Sequence, residues 1–356
     1  MRMDIVYVGD FWQGSTARSL SEALAALPGV SIDGINEDAY LPIYRGLPMR
    51  LANRLLNGLQ RRELSAAVMR TLDPKRHDVF VVYKGRGIGC KALEKVKRLG
   101  IPTINIFPDC SPHAHGSSLR ETMGYYDLVI STKPLHPELW RSVYGYDNRC
   151  VCVPHGYDPD VHYWSEPAPM DGCDVALCAT WRPEYHRLMV AFAQSLADDK
   201  ISVSIGGFGW QARMRELPRH WQYVGAPHGR AYGHFLRSAR MVIAPVNREV
   251  VIKGRRQPGD EDTTRTYELA AARCFFLHQR TDYVATVYDE QTEVPFWSNP
   301  NELAQLVRRW LADDAGRRAM ADRAHARAVP AYSFPQRAQE VRRLMEEMLA
   351  ERKAPR

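Results

Sequence analysis

The chain has 356 residues, 45% of them hydrophobic and 25% charged, the balance of a globular protein with room for two domains. No apolar run approaches the length of a membrane span, the opening MRMDIVYVGDFWQG has too short an apolar core for a signal peptide, and seven scattered cysteines form no disulfide framework, so a reduced, cytoplasmic protein is expected. The net charge of +7 calls for an anionic partner; nucleic acid is set aside, because no RNP, zinc-finger or helix-turn-helix pattern accompanies the charge, which leaves nucleotide phosphates and an anionic membrane surface.

Short apolar runs rich in Val, Ile and aromatics begin at MDIVYVG (3–9) and recur at 30–36, 78–84, 102–109, 126–133 and 149–155. Helix-length segments such as 16–27 and 90–100 separate several of them. A second series follows at 174–180, 201–207, 221–226, 239–246, 273–279 and 293–297. Most of these runs are continuously apolar rather than alternating, as in strands of a parallel sheet covered on both faces. Twelve strands are too many for one ordinary sheet, and the break falls at HGYDPDVHYWSEPAPMDG (155–172), rich in Pro, Gly and acids. The expectation is an α/β protein of two Rossmann-like, doubly wound domains facing each other across a cleft, residues 1–155 and 156–330, followed by a terminal helical segment, 331–356. That last helix has one apolar face (Val341, Leu344, Met345, Met348, Leu349). It either crosses back to brace the first domain or packs on its own.

Between the second and third strands, residues 44–70 carry Arg45, Arg50, Arg54, Arg61, Arg62 and Arg70 against Glu63 alone, with Leu47, Leu51, Leu55 and Leu59 recurring every four residues. This is either a basic amphipathic helix resting on anionic lipid, a peripheral membrane contact at the inner face, or a core-packed helix with a solvated arginine face.

Several nucleotide motifs are approached and missed. Gly9, Gly14, Ser15 and Thr16 have part of a Walker A spacing without its lysine, though small residues at Gly14 let backbone amides approach a phosphate as readily as they make a tight turn. GRGIGC (85–90) lacks the third glycine of the dinucleotide fingerprint.

The densest chemistry lies in GDEDTTRTYELAAARCFFLHQR (259–280). Asp260-x-Asp262 allows a divalent-metal reading, but it follows a long polar loop, NREVVIKGRRQPG, rather than a strand end. Alternatively Asp262 or Thr263 caps a helix and Glu268 makes a salt bridge to Arg265 or Arg273. The third reading is a phosphate and ribose clamp. There Thr264 and Glu268 share one face, the first-turn amides and helix dipole meet a diphosphate, Arg265 forks onto phosphate oxygens, and Glu268 accepts from a cis-diol.

The segment order resembles a GT-B glycosyltransferase, more narrowly the CgeB-like (spore maturation protein) branch related to family 4 transferases. The resemblance rests on HGYDP (155–159), ALCATWRPEYHR (176–187), ISVSIGGFGW (201–210), YVGAPHGRAY (223–232), the RTYE of 265–268 and INIFPDCSP (104–112). It implies a metal-independent enzyme without a cofactor, moving a sugar from a nucleoside-diphosphate sugar to a glycan, lipid-linked or small-molecule hydroxyl, as in polysaccharide biosynthesis. It further implies that Glu268 binds the donor ribose, that Asp260 meets the donor sugar, and that Arg182 and Arg187 neutralise the diphosphate. Gly225, Ala226 and Pro227 would meet the base through backbone atoms, and Lys253 either reaches the phosphates or is solvated. Asp109, His113 and His115 would form the acceptor and catalytic side, Asp109 as base or, if family 4 retention of configuration holds, as a positioner. A catalytically idle nucleotide-sugar-binding protein, or a GT-B sugar-nucleotide epimerase, is the alternative.

Overall fold

The computed structural model describes residues 2–42, 47–115, 117–197, 199–252 and 254–353, with 47–54, 115, 117–118, 252 and 353 described by backbone alone. Each of the twelve apolar runs contains a strand. The first six are β1 (Met3–Gly9), β2 (Val30–Asn36), β3 (Val79–Tyr83), β4 (Thr103–Phe107), β5 (Leu128–Ser131) and β6 (Arg149–Cys152). They form one parallel sheet in the order β2-β1-β3-β4-β5-β6. Next come β7 (Val175–Cys178), β8 (Val203–Gly206), β9 (Gln222–Tyr223), β10 (Met241–Ala244), β11 (Glu249–Ile252), β12 (Arg255–Pro258), β13 (Phe276–Gln279) and β14 (Phe296–Trp297). The second sheet runs β14-β13-β10-β7-β8-β9.

The continuous apolarity of these runs has a direct cause. Val6 and Val8 of β1 join Phe80 and Val82 in one core cluster, with Leu64 and Val68 of the helix Leu47–Thr71. Met3, Ile5 and Tyr7, alternating with them, join Val79 and Val81 in a cluster on the other face. Successive side chains point to opposite faces of a strand, so a sheet clothed on both faces needs apolar residues at every position. The second sheet repeats this: Val175 and Leu177 of β7 enter one cluster, Ala176 and Cys178 the other.

The chain divides into two compact units, Met1–His155 with Val250–Gln257 and Phe334–Arg356, and Gly156–Glu249 with Pro258–Ser333. In the first, the helix Phe334–Lys353 lays Val341, Leu344, Met345 and Met348 onto the cluster that holds Met3, Ile5 and Tyr7, beside the helix Thr16–Ala25.

Two departures from expectation stand out. The polar loop after β10 is a two-stranded ribbon, β11 with β12. The helix Leu47–Thr71 is neither of its two sequence-level alternatives along its whole length: Leu64 and Val68 are buried, whereas Leu55, Leu56 and Leu59 are 87%, 51% and 57% exposed.

Candidate functional site

The foot of the ribbon aims the next helix. Gly259 N–H donates to Arg248 O at 2.9 Å and Asp260 N–H to Asn247 O at 2.7 Å, which returns the chain beside the end of β10. Thr263 is then the N-cap of the helix Thr264–Ala271. Thr263 N–H donates to Thr266 Oγ1 at 3.1 Å, and the Thr266 hydroxyl in turn reaches His278 Nε2 on β13 at 2.8 Å. His278 Nδ1 lies 2.7 Å from Gln279 O, so that nitrogen carries the proton and Nε2 accepts. Burial holds the His278 pKa down at about 4, which keeps the ring neutral and the cap intact.

Asp260, Glu261 and Asp262 do not converge. Asp262 is fully buried and accepts from Tyr267 OH at 2.7 Å. Glu261 pairs with Arg248 at 3.3 Å, and half-buried Asp260 stays at the ribbon's foot. Among the described residues no group of three or more His, Cys, Asp or Glu is placed to hold a metal ion.

Glu268 occupies the second turn, its side chain 10% exposed. Its Oε2 accepts from Tyr232 OH at 3.0 Å, and its Oε1 lies 3.6 Å from His162 Nε2, beyond a hydrogen bond but within ion-pair range. His162 belongs to the short helix Pro159–His162, capped by Asp158, whose N–H donates to His162 Nδ1 at 3.1 Å. The proton of that imidazole therefore sits on Nε2, facing Glu268. Burial, with the Glu268 charge next, pushes the Tyr232 pKa well up, so its hydroxyl stays a donor. The alternative reading, a salt bridge from Glu268 to Arg265 or Arg273, is not found among the described residues, where Tyr232 and His162 are its partners.

Arg265 departs from its expected role. Its guanidinium donates to Pro245 O at 2.8 Å, to Cys178 O at 3.4 Å and to Tyr185 OH at 3.4 Å. The fork thus ties the helix to the carboxyl ends of β7 and β10 rather than pointing outward. Thr264, the first helical residue, is half-buried.

Arg182 is the exposed N-cap of the helix Pro183–Leu196, with no ion pair among the described residues. Arg187 does not act as its twin: five residues turn a helix through about 140° beyond one full circle, and Arg187 instead pairs with Glu184 at 3.8 Å. It lines a groove of about 460 Å³ with Tyr185, Asn247, Arg248, Gln279 and Ser298. The loops after β7, β8 and β9 are stitched together. Gly207 N–H donates to Gly225 O at 2.7 Å, and Gly207 has φ +119° with Ala179 O only 2.0 Å from where a Cβ would stand. Only glycine fits there. Gly225 turns at φ +80°, and Ala226 and Pro227 follow it half-buried. Lys253 lies outside the described residues.

The other predicted residues belong to the first unit. Asp109, just past β4, has Lys84 Nζ 2.7 Å from its Oδ2. His113 presents its ring edge-on to Tyr144 and Tyr146, centroids 5.5 and 6.1 Å away, so it is part of an aromatic cluster and not a free loop histidine. The side chain of His115 lies outside the described residues. Gly14 has φ +91° in the turn before the helix Thr16–Ala25, where Ser15 Oγ accepts from Ala17 N–H at 3.2 Å. It belongs to the first unit.

His278, Tyr232, His162 and Lys84 were not singled out from sequence. HGYDP and YVGAPHGRAY flagged the neighbourhoods of His162 and Tyr232, and nothing local marks His278 or Lys84.

Residues 182–343 match the glycosyl transferase-like family. No curated protein matches the sequence. Solved structures match over the whole chain. HepE of Anabaena, in complex with UDP and glucose, is 11% identical with a TM-score of 0.65, covering 97% of this chain and 100% of its own. Sucrose-phosphate synthase of Thermosynechococcus elongatus is 13% identical with a TM-score of 0.69, covering 98% and 100%. AviGT4, a glycosyltransferase involved in avilamycin A biosynthesis, is 14% identical with a TM-score of 0.63, covering 98% of each chain. At such identities the likeness is one of fold.

Proposed function

We propose that this chain, GT-B in fold and glycosyl transferase-like over residues 182–343, moves a sugar from a nucleoside-diphosphate sugar to a hydroxyl acceptor. The observation that carries the reading is Glu268: a nearly buried carboxylate in the second turn of a helix, oriented by Tyr232 at 3.0 Å and His162 at 3.6 Å. A carboxylate so held accepts two hydrogen bonds from the cis-diol of a ribose. One turn earlier, the first-turn amides and Thr264 meet the diphosphate, where the positive end of the helix dipole favours anions. Arg182 adds charge. Solved complexes of HepE hold UDP, glucose and UDP-glucose, which favours the same class of donor here.

In the reaction the bond from the anomeric carbon to the diphosphate breaks and a bond to the acceptor oxygen forms. Charge appears on the leaving diphosphate, and pre-aimed amides and cations stabilise it there, so no metal ion is required. With retention of configuration, the acceptor proton passes to a leaving phosphate oxygen and Asp109 positions the hydroxyl; with inversion, Asp109 takes that proton. Retention is the reading adopted. The acceptor is a glycan, a lipid-linked sugar or a small molecule. Exposed Leu55, Leu56 and Leu59, with Arg62 and Arg70 exposed on the same helix, favour work at an anionic membrane surface.

The test is a thermal-shift panel of UDP-, GDP-, ADP-, CDP- and dTDP-sugars, with and without EDTA, followed by release of the nucleoside diphosphate. A shift of several degrees with one nucleotide class, indifferent to EDTA, is expected. No shift with any of them removes the donor site. A shift without nucleotide release identifies an idle binding protein, and conversion of the sugar without an acceptor identifies an epimerase.

A further inference from the structure

Lys84 follows β3 with φ +60°, in the left-handed region that glycine enters freely and a residue with a Cβ enters at a cost. Two contacts hold its backbone. Lys84 N–H donates to Ile106 O at 2.8 Å, and the fully buried Asn105 donates its amide to Lys84 O at 3.2 Å. Neither needs a side chain, so glycine would serve this turn at least as well; the next residue, Gly85 at φ +81°, is one. What lysine alone contributes is the ammonium 2.7 Å from Asp109 Oδ2.

The place matters as well. β3 and β4 are neighbours, so Lys84 and Asp109 meet outside the carboxyl ends of adjacent strands, where ligands of open parallel sheets gather. The charges of Asp109 and of buried Lys133 both reach Tyr83 and His155. In a largely buried ion pair the cost of desolvation offsets much of the attraction, so stability alone does not account for a strained lysine. Strain is retained where surrounding structure enforces it for function.

We propose that Lys84 is a positioning residue of the acceptor side, holding the Asp109 carboxylate in the one orientation that meets the acceptor hydroxyl. This rests on the transferase reading.

The experiment uses full-length protein, the UDP-, GDP-, ADP-, CDP- and dTDP-glucose panel, and nucleoside-diphosphate release as the readout for wild type, Lys84→Gly, Lys84→Arg, Asp109→Asn and the Lys84→Gly/Asp109→Asn double variant. Lys84→Gly relieves the backbone while removing the ammonium, so its melting temperature should match wild type. Its kcat should fall about a hundredfold, the scale of a small misplacement at a reacting centre, with the donor KM unchanged. Lys84→Arg should recover part of the loss, and the double variant should be no slower than Asp109→Asn alone. Wild-type kcat in Lys84→Gly, or losses that multiply in the double variant, would overturn the proposal. If wild type releases nucleotide from none of the five donors, the transferase reading fails first and this inference falls with it.

Discussion

Glu268 is held on one side by a neutral phenol and on the other by an imidazole, with no arginine paired to it among the described residues. That makes substitution informative at the scale of one residue. On the proposed reading, Glu268→Ala removes the two hydrogen bonds that the ribose hydroxyls donate to the carboxylate, about 2–4 kcal/mol of donor affinity, or roughly thirty- to a thousandfold in Kd. Glu268→Gln keeps one acceptor oxygen and should fall between alanine and wild type. Tyr232→Phe leaves the carboxylate in place but lets it turn; removing one neutral donor costs about 1 kcal/mol, so a several-fold loss is expected. Calorimetric titration with the nucleotide found by the panel gives all three values. Donor Kd unchanged in Glu268→Ala would make Glu268 a structural acid and remove the support for the clamp.

At the scale of elements, what the sequence revealed depended on whether burial or company defined the element. The twelve main strands were legible because two-sided burial writes itself as continuous apolar runs. The ribbon β11–β12 was not, since RRQP of β12 carries charge with little apolar pattern and pairs with its neighbour instead of entering a core. The helix Leu47–Thr71 defeated the reading for another reason: leucines every four residues suit a lipid face and a core face equally, and only exposure separates them. Glu268 was legible from the RTYE pattern, but its partners stand 36 and 106 positions away and meet it only through the fold. Lys84 was invisible because left-handed backbone has no signature in a single lysine. The exposed leucines carry a prediction of their own. Each fully buried Leu contributes about 2 kcal/mol, so the triple change Leu55→Ser, Leu56→Ser, Leu59→Ser should lower binding to phosphatidylserine-containing vesicles by a hundredfold or more, measured by co-sedimentation. The melting temperature should hardly move, because exposed positions tolerate change. Wild type that fails to sediment with the vesicles would return this helix to a solvated surface.

Across the whole molecule, two buried histidines, His155 and His278, and the half-buried His325 set an acid limit. Burial, with the Lys133 charge next, holds His155 well below the ordinary histidine range; burial also lowers His325 and brings His278 to about 4. The unfolded chain takes up these protons below about pH 6.5, while the folded chain refuses them until lower pH. Between those limits the unfolded state binds more protons, so unfolding becomes easier as pH falls. For His278 alone the interval from about 6.5 to about 4 corresponds to roughly 3 kcal/mol. The urea midpoint, followed by tryptophan fluorescence, should therefore decline steadily from pH 7 to 5, above the range where ordinary carboxylates titrate. His278→Gln, whose amide offers both a donor and an acceptor and does not titrate, should flatten that slope by about one proton; a midpoint independent of pH over the same range would contradict the buried, neutral histidines. The consequence reaches the donor site. A proton on His278 Nε2 competes with the Thr266 hydroxyl that caps the helix Thr264–Ala271, so donor affinity of the folded protein should drop near pH 4. In His278→Gln the drop should be smaller.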